Sequence, residues 1–333
     1  MKRIITAAVI ALLLLSLLAA PAVAAKGKFK TAVWNVPRDY ATIQEAIDSA
    51  DVSAGDIIVL APGDHAGALV TKEVQIKGSR HTVISSGPAH SSGMSQGFRL
   101  MEGSDGAKIS NLRFTVDLAI MNGASVNDVR VEHCTFTSPV QAVSNWGGSR
   151  WKISHNVITD LRTRNGGCIG ILIGDRFGGV IEGNEVSYNT IKGTLYVGGG
   201  YADPSQEQGG YNGSGIVLYA DFRYSGFLGA EAIKNNKVTG NKVAMTSNNP
   251  EVVDIVAFEM TDSRDDAGLN IIFDNTVTFN DFRGTEIQID LTPDNLGDYN
   301  NISRNFGENR WHFLPNKHNR WFRWGFRHMP FEK

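Results

Sequence analysis

The chain has 333 residues, with 32 Lys and Arg against 34 Asp and Glu, for a net charge of −2. A balance this close to neutral argues against a nucleic-acid binder. Length alone would suggest two domains, but a repeat running through most of the chain predicts a single elongated one.

The first 25 residues read as an export signal. Lys2 and Arg3 give the positive start, and Ile4 to Ala20 is apolar apart from Thr6 and Ser16. Pro21 breaks the helix, and Ala22-Val-Ala24 offers the small residues that a signal peptidase accepts. The alternative is an uncleaved anchor, because Ile4 to Ala25 is nearly long enough to span a bilayer. Cleavage is the favoured reading. It implies a secreted protein, or one of the periplasm or cell envelope, with no stable membrane span afterwards. There is no Cys at the cleavage point, which disfavours a lipoprotein.

Residues 26–60 read as an N-terminal cap and first strand. Thr42-Ile-Gln-Glu45 has capping-box spacing. Ile43, Ala46, Ile47 and Ala50 fall on one helical face, and Ile57-Ile-Val-Leu60 follows as the first buried strand. A solenoid needs such a cap, because an open first rung would expose both core and strand edge to water.

Residues 61–309 carry the repeat. Its phrase is an apolar residue, two spacers, a small residue, one spacer and a second apolar residue. It reads Ile109-Ser-Asn-Leu112-Arg-Phe114, Val131-Glu-His-Cys134-Thr-Phe136 and Ile153-Ser-His-Asn156-Val-Ile158. It returns around Asn184, Asn236, Asn275 and Asn305. The steps between fourth slots are 22, 22, 28, 52, 39 and 30 residues. Roughly twenty-odd residues suit one coil of a parallel β-helix, so the longer steps imply inserted loops. Asn tolerates a left-handed bend, and its amide can bond the Asn of the next coil. One Asn ladder, from Asn156 through Asn184, Asn236 and Asn275 to Asn305, is therefore expected. Cys134 shares the slot of Asn156, so Cys168 lies out of register with it. Both cysteines are read as buried small apolar residues rather than a disulfide.

A second strand recurs between the phrases, as Ala119-Ile-Met121, Ala142-Val143, Gly170-Ile-Leu-Ile173, Gly215-Ile-Val-Leu218, Ile255-Val-Ala-Phe258 and Ile287-Gln-Ile289. Alternation predicts that every second side chain enters the core. Three of these strands end in acids close to arginine: Asp175-Arg176, Asp221-Phe-Arg223, and Glu259 followed by Asp262-Ser-Arg264. Stacked coils would align these groups at ~4.8 Å per coil. Arg176, Arg223 or Arg264 suits a substrate carboxylate. Asp175, Asp221, Glu259 or Asp262 suits an acid, a base or a Ca²⁺ ligand. The competing reading is that such pairs only bond one another, and Asp281-Phe-Arg283 repeats the pattern elsewhere.

Other features are weaker. His133 and His155 share a slot and should stack, although two His without a third ligand rarely bind a metal. Tyr196, Tyr201 and Tyr211 lie in or beside the glycine-rich stretch 188–211, where they suit sugar stacking. Asn212-Gly-Ser214 and Asn301-Ile-Ser303 match glycosylation acceptors. Residues 310–333 hold Trp311, Phe313, Trp321, Phe322, Trp324, Phe326 and Phe331 among basic residues, and read as a C-terminal cap or a contact for anionic glycan, lipid or partner.

The signal, the Thr42 helix, Gly55-Asp-Ile-Ile-Val-Leu60-Ala-Pro-Gly63 and the Asn slots together resemble the pectate-lyase-like superfamily of right-handed parallel β-helices. The resemblance covers roughly residues 35–310 and implies an all-β, single-domain solenoid with an N-terminal capping helix. That superfamily includes polysaccharide lyases, glycoside hydrolases, epimerases and noncatalytic surface proteins. The chain departs from its enzymes: the Asn-Thr-Asp and Gly-His-Gly motifs of polygalacturonases and the Trp-Ile-Asp-His run of calcium pectate lyases are absent. No catalytic residue carries over. The expectation is a monomer acting on polysaccharide, by lyase-type cleavage of a uronate-containing glycan or by glycoside hydrolysis. The alternative is a noncatalytic envelope module that binds glycan or a protein.

Overall fold

The computed structural model describes residues 31–164, 167–196, 211–221, 230–248, 253–263 and 270–307. The expected signal, Tyr201, Arg223, Arg264 and the 310–333 tail lie outside the described residues.

The described residues from Ala32 to Gly307 form a parallel β-helix. Its strands stack into sheets of ten, eight, seven and three strands, and every pairing between named strands is parallel. One coil runs through Lys108–Ser110 of the ten-stranded sheet, Arg113–Phe114 of the seven-stranded sheet and Leu118–Asn122 of the eight-stranded sheet. It then re-enters the ten-stranded sheet at Arg130–Glu132. Later coils insert a fourth side: Gly179–Glu182, Ala230–Lys234 and Ile272–Phe273 form the three-stranded sheet.

The start of the solenoid differs from expectation in two details. Val33–Val36 pairs with Ile57–Leu60, so Ile57–Leu60 is the second strand of its sheet. The helix spans Ile43–Asp48, with Ile43, Ala46 and Ile47 buried, while Ala50 lies beyond it and is exposed. Thr42 caps it by accepting from the N–H of Glu45 at 3.1 Å. Ser49 adopts an extended backbone that stops the helix before a further turn can form.

Inward residues stack coil on coil. Phe114 and Phe136 lie face to face at 4.9 Å, and Phe98 meets Phe114 edge-on at 5.9 Å. Each buried side chain of this size contributes roughly 1.5–3 kcal/mol. Cys134 and Cys168 are both buried, as expected, and neither is disulfide-bonded.

The single Asn ladder is corrected to two. Asn156 donates its backbone N–H to Asn189 Oδ1, and the series continues through Asn241 and Asn280 to Asn305. A separate series runs from Asn184 through Asn236 and Asn275 to Asn300. In each series the side-chain amide also bonds the next Asn, at 2.8–3.0 Å. The two ladders occupy the two ends of the ten-stranded sheet, five positions apart in sequence. At both corners most of the Asn residues follow a left-handed residue, Asn300 being an exception. Tyr188, Phe279 and Arg304 supply it for one ladder, and Asn235 and Asp274 for the other. Near the N-terminus apolar residues take over. Cys134 precedes Asn156, and Trp151 precedes Asn184, to whose Oδ1 it donates its N–H at 2.9 Å.

The eight-stranded sheet also departs from simple alternation. Leu118–Asn122 and Gln141–Asn145 are buried at every position. Ala119 and Ile120 both belong to the interior, as do Ala142 with Val143 and Ala257 with Phe258. The strand therefore bends where small residues stack. Gly215 occupies this row because a Cβ there would lie 2.6 Å from the Ala257 carbonyl oxygen. The outer face carries its own buried cluster of Met94, Leu118, Met121, Val140, Trp146, Ile169, Leu172, Val217 and Tyr219. Two buried faces, rather than one, explain why alternation fails here.

Candidate functional site

The recurrent strands Gly167–Gly174, Tyr211–Ala220, Val253–Asp262 and Ile287–Thr292 are successive members of the eight-stranded sheet. The strands therefore stack in register, but their acids do not share one level: Asp262 pairs with Ala220 rather than Asp221, and Glu259 pairs with Val217. What those charges do is different from residue to residue.

Asp175 and Asp221 are fully buried. Asp175 Oδ1 accepts from the backbone N–H of Asp221 at 2.8 Å. Asp262, half-buried, accepts through Oδ2 from the N–H of Ile271 at 3.2 Å. These three acids stand where strands give way to connections, and two of them satisfy backbone donors there. The guanidinium of Arg176 lies over the Phe177 ring, 5.0 Å from its centroid. Arg223 and Arg264 are outside the described residues, so convergence of the expected cationic set is not part of the geometry.

Glu259 is different. Its neighbours Phe258 and Met260 belong to the interior, whereas Glu259 pairs in register with Val217 of the outer cluster. On the next strand it faces Asp290. Directly paired positions on neighbouring strands are ~4.8 Å apart. Ser214 Oγ donates to Glu259 Oε2 at 2.5 Å, and Thr261 Oγ1 donates to Oε1 at 2.9 Å. Burial, and secondarily the charge of Asp290, push the Glu259 carboxyl up to about 7, while the two hydroxyls pull it down. The pair thus sets a carboxyl that holds its proton near neutrality beside a second acid. That is the combination acid–base chemistry requires. Asp290 was missed in the sequence. Its signal was available, because Ile287-Gln-Ile289 carries alternation one step further onto Asp290.

The remaining expected features are placed plainly. His133 and His155 stack at 5.1 Å, and His155 stacks on Tyr188 at 5.4 Å. The facing rings occupy one another, so this exposed row is built as a ladder rather than as open sugar platforms. Tyr196 is exposed, and Tyr211 lies in a strand. Asn301 is exposed, whereas Ser214 of the other acceptor motif is buried on Glu259. Arg283 pairs with its own neighbour Asp281 at 2.9 Å. Among the described residues no three His, Cys, Asp or Glu gather as a metal site, and no helix is long and apolar enough to cross a membrane. The chain matches no protein-family model and no curated protein.

Proposed function

We propose that this protein is an exported, pectate-lyase-like β-helix that cleaves an acidic polysaccharide, with Glu259 and Asp290 as its proton-transfer pair. The carrying observation is the direct register of two carboxyl side chains on the outer face of the eight-stranded sheet, one of them buried on two hydroxyls. In an elimination, the Asp290 carboxylate takes the C5 proton of a uronate. The C4–O bond then breaks, a C4–C5 double bond forms, and the Glu259 carboxyl protonates the departing oxygen. The same two groups suit hydrolysis, in which the C1–O bond breaks, water adds at C1 as its proton goes to the Asp290 carboxylate, and the Glu259 carboxyl protonates the departing oxygen. Export is read from Lys2 to Ala24 and the outer location from that signal.

A second reading is a noncatalytic envelope module that binds glycan or a protein. It is supported by the backbone duties of Asp175 and Asp262, each of which accepts a main-chain N–H. The test is a screen of uronate-containing polysaccharides, with and without Ca²⁺, that follows both ultraviolet absorbance of the unsaturated product and new reducing ends. Product formation abolished by Glu259→Gln and by Asp290→Asn is expected. Binding without either product would replace cleavage by the module reading.

A further inference from the structure

A second charged cluster sits at the corner where the chain passes from the seven-stranded to the eight-stranded sheet. Asp117 lies there, immediately before the strand Leu118–Asn122, with a side chain only 4% exposed. Its Oδ2 accepts from the backbone N–H of Ser95 at 2.9 Å and from Ser95 Oγ at 2.8 Å. Arg162 and Arg164, two coils further along, both reach back to it. Arg162 Nη2 lies 2.5 Å from Oδ1, and Arg164 Nη1 lies 3.2 Å from Oδ2.

Among the described residues one carboxylate therefore holds two guanidiniums, which leaves one positive charge over. The acid is closed off from solvent, while the Arg162 and Arg164 side chains stay 35% and 28% exposed. Asp160, the other acid of this segment, is turned to the N–H of Thr194 at 3.0 Å. Asp117 thus anchors the two forks rather than consuming them. Unpaired polar atoms lie alongside. Gln96 stands directly across from Leu118, is 1% exposed, and has no partner for either amide atom; Arg162 Nε is buried and likewise lacks one. Buried polar groups are normally satisfied, so atoms left open beside a surplus cation call for a ligand.

We propose that this corner is an anion subsite in which Arg162 and Arg164 grip an oxyanion carried on a sugar, either a uronate carboxylate or a sulfate ester. Planar guanidinium forks match such groups bidentately, and pre-anchoring by Asp117 removes the cost of ordering them. Gln96 supplies an amide donor and acceptor on the adjoining strand. The proposal rests on the glycan reading above and adds to it where the charge of the ligand is recognised.

The test is calorimetric titration of the full chain with a galacturonate oligomer, its methyl ester, and a sulfated oligomer of equal length. Arg162→Gln, Arg164→Gln and Arg162→Lys are titrated alongside, with thermal midpoints measured for each. The charged oligomers are expected to bind, more weakly as salt rises, and the methyl ester not to bind. Whichever charged oligomer binds more tightly identifies the oxyanion. Each Gln variant should weaken binding about tenfold or more, and Arg162→Lys should fall between, because it keeps the charge and loses the fork. Equal binding of the methyl ester, no binding of any oligomer, or variants that lose thermal stability but keep full affinity would overturn the subsite. Turnover is read separately: binding without cleavage leaves the subsite standing and ends the acid–base proposal. Cleavage with KM unchanged in both Gln variants does the reverse.

Discussion

The backbone N–H of Asp221 donates to Oδ1 of Asp175 on the preceding coil, at 2.8 Å and out of contact with water. An acid that looks catalytic in the sequence is thereby tied to the end of a strand. Asp175→Ala should destabilise the fold by about 1–3 kcal/mol, because it leaves a buried donor unpaired. Asp175→Asn keeps an acceptor oxygen and should cost less. Urea unfolding of the two variants checks the order, and equal losses would count against the capping role.

Glu259 makes stability depend on pH in an unusual direction. Its carboxyl is pushed from the ordinary 4.5 up to about 7, mainly by burial and further by Asp290. Between those values the folded chain keeps a proton that the unfolded chain has lost, so stability falls as pH rises. The penalty is absent below about 4.5 and complete above about 7, where it reaches on the order of 3 kcal/mol. Glu259→Gln carries no charge at any pH. Its stability relative to the wild type should rise across this window, and a difference that stays flat from pH 4 to 8 would contradict a protonated Glu259.

The Asn ladders should be costly to break in the middle and cheaper at the end. Asn241 Oδ1 accepts from the backbone and side chain of Asn189, while its Nδ2 donates to Val186 O and Asn280 Oδ1. Asn241→Ala should cost about 3 kcal/mol or more, because buried groups on three residues lose partners. Asn305 accepts from Asn280 and donates to Val277 O, is half-buried and bonds no further Asn, so Asn305→Ala should cost less. Thermal midpoints of the two variants settle the comparison.

The two thiols should be silent in the native protein. Burial pushes the Cys134 thiol up to about 12, and raises that of Cys168 as well. Since the thiolate is the reactive form, an aromatic disulfide reagent at pH 8 should label neither. Both should react once guanidinium unfolds the chain. Rapid native labelling of either residue would show that its coil opens.

Much of the architecture was legible in the sequence. The cap at Thr42, the strand at Ile57–Leu60 and all six recurrent strands stand where the pattern places them. The doubling of the ladder was harder to see. Val186-Ser-Tyr-Asn189-Thr-Ile191 repeats the same phrase five residues after Asn184, and Val238 to Val243 does so around Asn241. Both corners impose the same demands, an inward apolar residue, a left-handed residue and an amide, so their sequences look alike. The site was less legible still, because a strand-end acid reads the same whether it meets substrate or a backbone N–H.

The periodic spacing of apolar residues and Asn by itself determined that this chain is a parallel β-helix, since only coil-on-coil stacking satisfies such a pattern. Tertiary structure alone decided where the charges lie and what they face. Asp175 and Asp221 are drawn inside, Glu259 is set against Asp290, and Arg162 and Arg164 are brought across two coils to Asp117. These relations depend on coil register across dozens of residues, and register is fixed by the sum of the stacking contacts rather than by any local motif.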